Sequence, residues 1–120
     1  MNAKLAVISL WAQDVPAATQ FYRDVIGLRL LFQHGGRPHF DLGGIYLIIL
    51  QGCPQPPNNP IPNRFPIAAF QVKDLDETIT HLKQYNVALP WGIESDASSR
   101  WVMFHDPGGN LIELVQYFVG

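Results

Sequence analysis

Glu113, Met103 and His105 are the first residues in this chain whose types and spacing suggest chemistry. Pro107-Gly108 marks a hairpin turn, and strand alternation puts Trp101, Met103 and His105 on one face, with Met103 set opposite Glu113. A carboxylate near an imidazole can move a proton, but the pair falls short of the about three or more N, O or S ligands a divalent ion takes from a protein. The other histidines do not complete a set. His81 falls on the polar side of a helix, and His34 and His39 flank Gly35-Gly36, so solvated and turn roles are expected for them. Cys53 has no Cys or His neighbour at ligand spacing and reads as a loop thiol. Ser9, His105 and Asp106 supply the residue types of a nucleophilic triad, yet Asp106 stands directly before Pro107, where it is better explained as a turn residue.

The bulk properties narrow the classes of function. A chain of 120 residues, 48% hydrophobic and 15% charged, has the size and apolar content of one compact domain. Its net charge of −2, with no cluster of Lys and Arg, argues against a nucleic-acid partner. The single cysteine cannot form an internal disulfide and suits a reducing compartment. The apolar run Leu5 to Ala12 follows a lysine, but it is short, is interrupted by Ser9 and runs into Gln13-Asp14, so it does not read as a signal peptide. No stretch approaches the roughly 20 apolar residues that span a bilayer. A cytoplasmic protein without a membrane partner is expected.

Stepping along the chain exposes a repeat. Val7-Ile-Ser-Leu-Trp-Ala-Gln-Asp14-Val15 lies over Ile67-Ala-Ala-Phe-Gln-Val-Lys-Asp74-Leu75 at an offset of 60, with apolar positions and the Asp in register. Gly43-Gly-Ile-Tyr-Leu-Ile-Ile-Leu-Gln51 lies over Gly108-Gly-Asn-Leu-Ile-Glu-Leu-Val-Gln116 at an offset of 65, which also aligns Asp41 with Asp106. A small loop insertion accounts for the change of offset. Two modules follow, at about 4–51 and 66–118, joined by a semi-rigid connector over 52–66 that carries Pro54, Pro56, Pro57, Pro60, Pro62 and Pro66.

Within each module the order is strand, helix and three strands. Leu5 to Trp11 and Ile67 to Val72 are short, apolar and rich in β-formers. Asp14 and Asp74 then cap helices, with Glu77 completing a capping box, Pro16 in the first turn and Gly27 as the C-terminal stop. Stripes at Val15, Ala18, Phe21, Tyr22 and Val25, and at Leu75, Ile79 and Leu82, cover one sheet face each. Strands are expected at about 28–34, 37–41 and 45–51, and again at about 87–93, 100–105 and 111–118.

The segment Gln13-Asp-Val-Pro-Ala-Ala-Thr-Gln-Phe21-Tyr22-Arg-Asp-Val-Ile-Gly27-Leu28 resembles the helix signature of the vicinal oxygen chelate superfamily of glyoxalases, bleomycin resistance proteins and extradiol dioxygenases. Phe104-His-Asp106-Pro107-Gly-Gly-Asn110-Leu-Ile-Glu113-Leu is similar to its C-terminal hairpin, and the resemblance covers essentially the whole chain. It implies an α+β fold in which two βαβββ modules form a curled mixed sheet with a concave cleft, and it implies a homodimer. It places the superfamily's metal positions at Val7, Ile48, Ile67 and Glu113, of which only the last offers a donor atom. No metal or other cofactor is therefore expected.

By parity from those positions, Val7 brings Ser9 and Trp11 to the cleft, Ile48 brings Tyr46 and Leu50, Ile67 brings Ala69 and Gln71, and Glu113 brings Leu111, Val115 and Tyr117. Met103, Trp101 and His105 join from the facing strand. Such an apolar, aromatic lining with few polar groups is what a small-molecule pocket uses, and it also suits plain packing. A carboxyl at Glu113 among Val7, Ile48 and Ile67 would have its charged form disfavoured, fitting it as a ligand anchor or as a general acid or base. The expected function is metal-independent binding of a planar apolar or amphipathic molecule. The alternative is an enzyme of the same superfamily, a lyase, isomerase or dioxygenase-like protein, that uses Glu113 with or without a metal.

Overall fold

The computed structural model describes residue 2 and residues 4–34, 36–52 and 68–118. The connector from Cys53 to Ile67 lies outside the described residues. The described chain forms two compact units, each built as strand, helix and three strands. Among the described residues no helix is long and apolar enough to cross a membrane.

In the first unit, β1 (Val7–Ala12) leads into α1 (Val15–Gln20), which widens into a π turn at Phe21–Val25. The Asp14 carboxylate accepts the Ala17 N–H at 3.0 Å, and Pro16 occupies a first-turn position that needs no amide donor. The π turn is defined by the Ile26 N–H donating to the Phe21 carbonyl at 3.1 Å, a five-residue step that the sequence did not signal. Gly27, at φ +83°, then ends the helix in the left-handed region. Three strands follow, β2 (Leu30–His34), β3 (Arg37–Asp41) and β4 (Tyr46–Gln51). The sheet order is β1-β4-β3-β2, with β1 parallel to β4 and the remaining pairs antiparallel.

The second unit repeats this plan with β5 (Ala68–Gln71), α2 (Leu75–Gln84), β6 (Glu94–Ser95), β7 (Ser99–His105) and β8 (Leu111–Tyr117), in the sheet order β5-β8-β7-β6. The Asp74 carboxylate accepts the Glu77 N–H at 3.1 Å, and Leu75, Ile79 and Leu82 form the buried stripe of α2. Gln116 on β8 holds the start of this helix: its Oε1 accepts the Leu75 N–H at 2.7 Å and an Arg100 N–H at 3.2 Å, while Arg100 also bridges to Asp76 at 2.9 Å.

One expected strand is misplaced. Residues 87–93 form no strand, and only Glu94–Ser95 pairs with β7. Pro90 lacks an amide donor, and Gly92 at φ +62° closes a turn by donating to the Leu89 carbonyl, so this apolar stretch bends instead of extending. Trp91 therefore sits on a turn.

In both units the hydrophobic core lies between helix and sheet. Leu10, Phe40, Leu47 and Ile49 fill the first, joined by Tyr22, whose ring lies 6.2 Å from that of Phe40. Val102, Phe104, Ile112 and Leu114 fill the second with Leu75 and Leu82. The two aspartates aligned by the repeat organise equivalent hairpins. Asp41 accepts the Gly43 N–H at 2.8 Å, and Asp106 accepts the Asn110 N–H, also at 2.8 Å.

Candidate functional site

Alternation along β1 buries Leu10 and Ala12 and turns Val7, Ser9 and Trp11 to the face that carries no helix. On β4 the same rule buries Leu47 and Ile49 and presents Tyr46, Ile48 and Leu50. Parallel pairing sets Val7 beside Tyr46, Ser9 beside Ile48 and Trp11 beside Leu50, so these six residues expected at the cleft share one face. Val7, Trp11 and Tyr46 remain 40%, 46% and 41% exposed, a degree of apolar exposure that singles this face out from the helix side.

His39 belongs to the same face, although its neighbourhood to Gly35-Gly36 had suggested a turn role. It lies on β3 opposite Ile48, with Phe32 opposite it on β2, which completes a row Ser9, Ile48, His39 and Phe32 across the sheet. The Phe32 ring stacks on the imidazole at 4.6 Å, and Tyr46 meets both edge-on at 5.7 Å. His39 Nδ1 lies 2.7 Å from the Arg37 carbonyl oxygen, which can only accept. The Nδ1–H is therefore the donor in this contact. Parity in 37–41 held the clue: with Pro38 and Phe40 buried, Arg37, His39 and Asp41 turn the other way.

Trp11 also walls a cavity of about 640 Å³ at the end of this sheet, together with Leu50, Gln51, Gln13, Asp14 and Arg37. Its indole lies against Gly52, where an added Cβ would stand 2.7 Å from Trp11 Cε3. Only a residue without a side chain permits that approach. The Gly52 N–H donates to the Ala12 carbonyl at 3.0 Å and so fixes the backbone beneath the ring.

The helix-free face of the second sheet carries the remaining expected residues. Met103 pairs with Glu113, and Glu113 with Ala69, while Trp101 pairs with Val115 and His105 with Leu111. Gln71 and His105 are exposed, Trp101 and Glu113 half-buried and Met103 buried. Ile67 lies outside the described residues. Burial pushes the Glu113 carboxyl above its ordinary range, and the negative charge of Glu94 adds to the rise. Trp91, from the turn, brings its ring to 6.0 Å from that of His105. Asp106 is buried and accepts two hydrogen bonds from the Asn110 side-chain amide, at 3.0 and 2.9 Å, which commits it to the hairpin turn.

As a donor set, these residues do not fit a divalent ion. Val7 and Ile48 carry no ligating atom, Ile67 is likewise hydrocarbon, and Glu113 alone cannot supply about three or more ligands. Among the described residues, no three His, Cys, Asp or Glu side chains come together as a metal cluster.

Residues 4–114 match the family model described as "Glyoxalase/Bleomycin resistance protein/Dioxygenase superfamily". The chain belongs to this superfamily. Its module order and two four-stranded mixed sheets are those of the glyoxalase/bleomycin resistance fold. Among superfamily structures, it is similar to lactoylglutathione lyase from Agrobacterium tumefaciens, with a TM-score of 0.73 and 25% identity over 97% of this chain and 95% of the other. It is likewise similar to TnmS3, an antibiotic binding protein from Streptomyces sp. CB03234, with a TM-score of 0.77 and 23% identity over 98% of both chains. In sequence it is 29% identical over 119 residues to the Escherichia coli protein YaeR, covering 91% of this chain and 92% of that one.

Proposed function

We propose that this superfamily member is a metal-independent small-molecule-binding protein that takes up a planar, apolar or amphipathic ligand. The observation that carries this reading is the exposed indole of Trp11, which lies against Gly52 and walls a cavity of about 640 Å³. That volume is within the about 300–1,000 Å³ typical of ligand pockets, and a flat aromatic wall favours a flat ligand by roughly 0.5–1.5 kcal/mol per ring pair beyond burial. The helix-free face of the first sheet adds Val7, Ser9, Tyr46 and Ile48 to the proposed binding set, and the superfamily resemblance adds Ile67, Gln71, Trp101, Met103, His105 and Glu113. Hydrocarbon at three of the four positions where the superfamily resemblance places metal ligands supports binding without a metal. The lone cysteine supports a cytoplasmic location, and the edge strands left by two four-stranded sheets among the described residues support a homodimer.

A fluorescence screen of flat aromatic compounds tests the reading, paired with elemental analysis of protein purified without added metal. Trp11→Ala is expected to weaken any hit several-fold. One equivalent of Zn, Ni, Mn or Fe, bound through Glu113, would overturn metal independence. Micromolar affinity corresponds to about −8 kcal/mol, which two ring contacts plus burial can supply.

A second reading, proton-transfer catalysis by Glu113, draws on the raised pKa of that carboxyl. It requires turnover that disappears in Glu113→Gln while ligand binding persists.

A further inference from the structure

We infer that the ligand is a flat aromatic acid whose anionic group is held by Arg37, a refinement that rests on the binding role proposed above. Arg37 opens β3 directly after Gly36, pairs with His34 and gives its carbonyl to His39 Nδ1 at 2.7 Å. Its backbone is thus held by the sheet while its side chain lines the cavity beside Trp11. The other charged group in that lining, Asp14, already accepts the Ala17 N–H as the cap of α1. Arg23 and Arg100 each have an aspartate partner, at 3.0 and 2.9 Å, whereas Arg37 takes part in no ion pair among the described residues. A guanidinium stays charged throughout the physiological range, and its planar fork matches a carboxylate or sulfonate through two parallel hydrogen bonds. The amide of Gln51, in the same lining, adds a neutral donor for such a group. One cavity therefore offers a flat ring wall and an unpaired planar cation, the complement of an aromatic acid.

The test uses two probes of equal shape, 2-naphthoate and 2-naphthamide, titrated by calorimetry into the intact protein at low salt. Naphthoate is expected to bind about tenfold more tightly than naphthamide, the scale of a hydrogen bond to a charged group. Arg37→Gln should abolish that preference, so that the two probes bind alike, while Arg37→Lys retains part of it and Trp11→Ala weakens both probes. Arg37 is exposed and contributes to the sheet through its backbone, so these variants are expected to keep the wild-type circular dichroism spectrum. Equal affinity for the two probes in the wild type, or a preference that survives Arg37→Gln, would overturn the inference alone. Failure of both probes to bind would overturn the binding role and the inference with it.

Discussion

The two modules keep the same pattern on their helix sides and part company on their open faces. Leu47 and Ile112 are repeat partners and both are fully buried, and so, nearly, are the next pair, Ile49 and Leu114. One residue along, on the opposite face of the same strands, the partners are Tyr46 and Leu111, Ile48 and Glu113, Leu50 and Val115. The first face gathers exposed aromatic rings around an imidazole, and the second places a carboxyl with raised pKa beside a buried Met103. A duplicated unit must keep its helix-facing residues to retain a core, because losing a packed side chain costs several times more than changing a surface one. The open face of the first sheet, where Val7, Trp11 and Tyr46 stay exposed, carries less of that constraint, so that is where ligand chemistry can diverge.

The strongest way to break this comparison is to truncate the core partners. Leu47→Ala and Ile112→Ala are each expected to cost about 2–5 kcal/mol in urea unfolding, while Tyr46→Ala costs within about 1 kcal/mol. A large loss from Tyr46→Ala would mean that the open face of the first sheet is packed core. The two helix caps should come out nearly equal, at about 1 kcal/mol each for Asp14→Ala and Asp74→Ala, since both carboxylates accept the same amide of the first turn. A cap effect confined to one module would show that the repeat is not matched energetically. Gly52→Ala should reduce stability by about 1–3 kcal/mol, because Gly52 stands at φ +158°, where a side chain is strained, and the new Cβ would also push the indole aside. Its readout is a shift in tryptophan emission together with weaker probe binding.

The smallest expected effect is the pH response of Glu113. Its folded-state pKa is raised, so between the ordinary glutamate value, about 4.3, and that raised value the native state holds more protons than the unfolded state. Stability from this group is therefore intact at low pH and lost as pH climbs through the window. Denaturation series at several pH values should show a slope that Glu113→Gln removes and Glu94→Gln reduces. A slope of the opposite sign in wild type would mean that Glu113 gains a cationic partner on folding.

How far the sequence foretold this depends on which signal each element left. The duplicated strands, both caps and the pairing of Met103 with Glu113 were legible because register and capping are written in local residue types. The strand expected at 87–93 does not form because Pro90 and Gly92 interrupt its apolar residues with a turn. His39 was missed for a related reason: adjacency to a glycine turn outweighed the alternation that Pro38 and Phe40 were already marking. The cavity beside Trp11 left no sequence signal, since it arises from the end of β1, the start of α1 and the β2–β3 turn meeting in space.

The parallel pairing of first and last strand in each module bears on how the chain folds. Val7 finds Tyr46 across 39 residues and Ala68 finds Ile112 across 44, whereas His34 and Arg37 meet within a single turn. Contacts at such separation carry the larger loop-closure entropy and form late, after the hairpins are in place. Ser9 and Trp11 thus join Ile48 and Leu50 only when the module closes, so the surface that would receive a ligand is among the last parts of the first unit to be assembled.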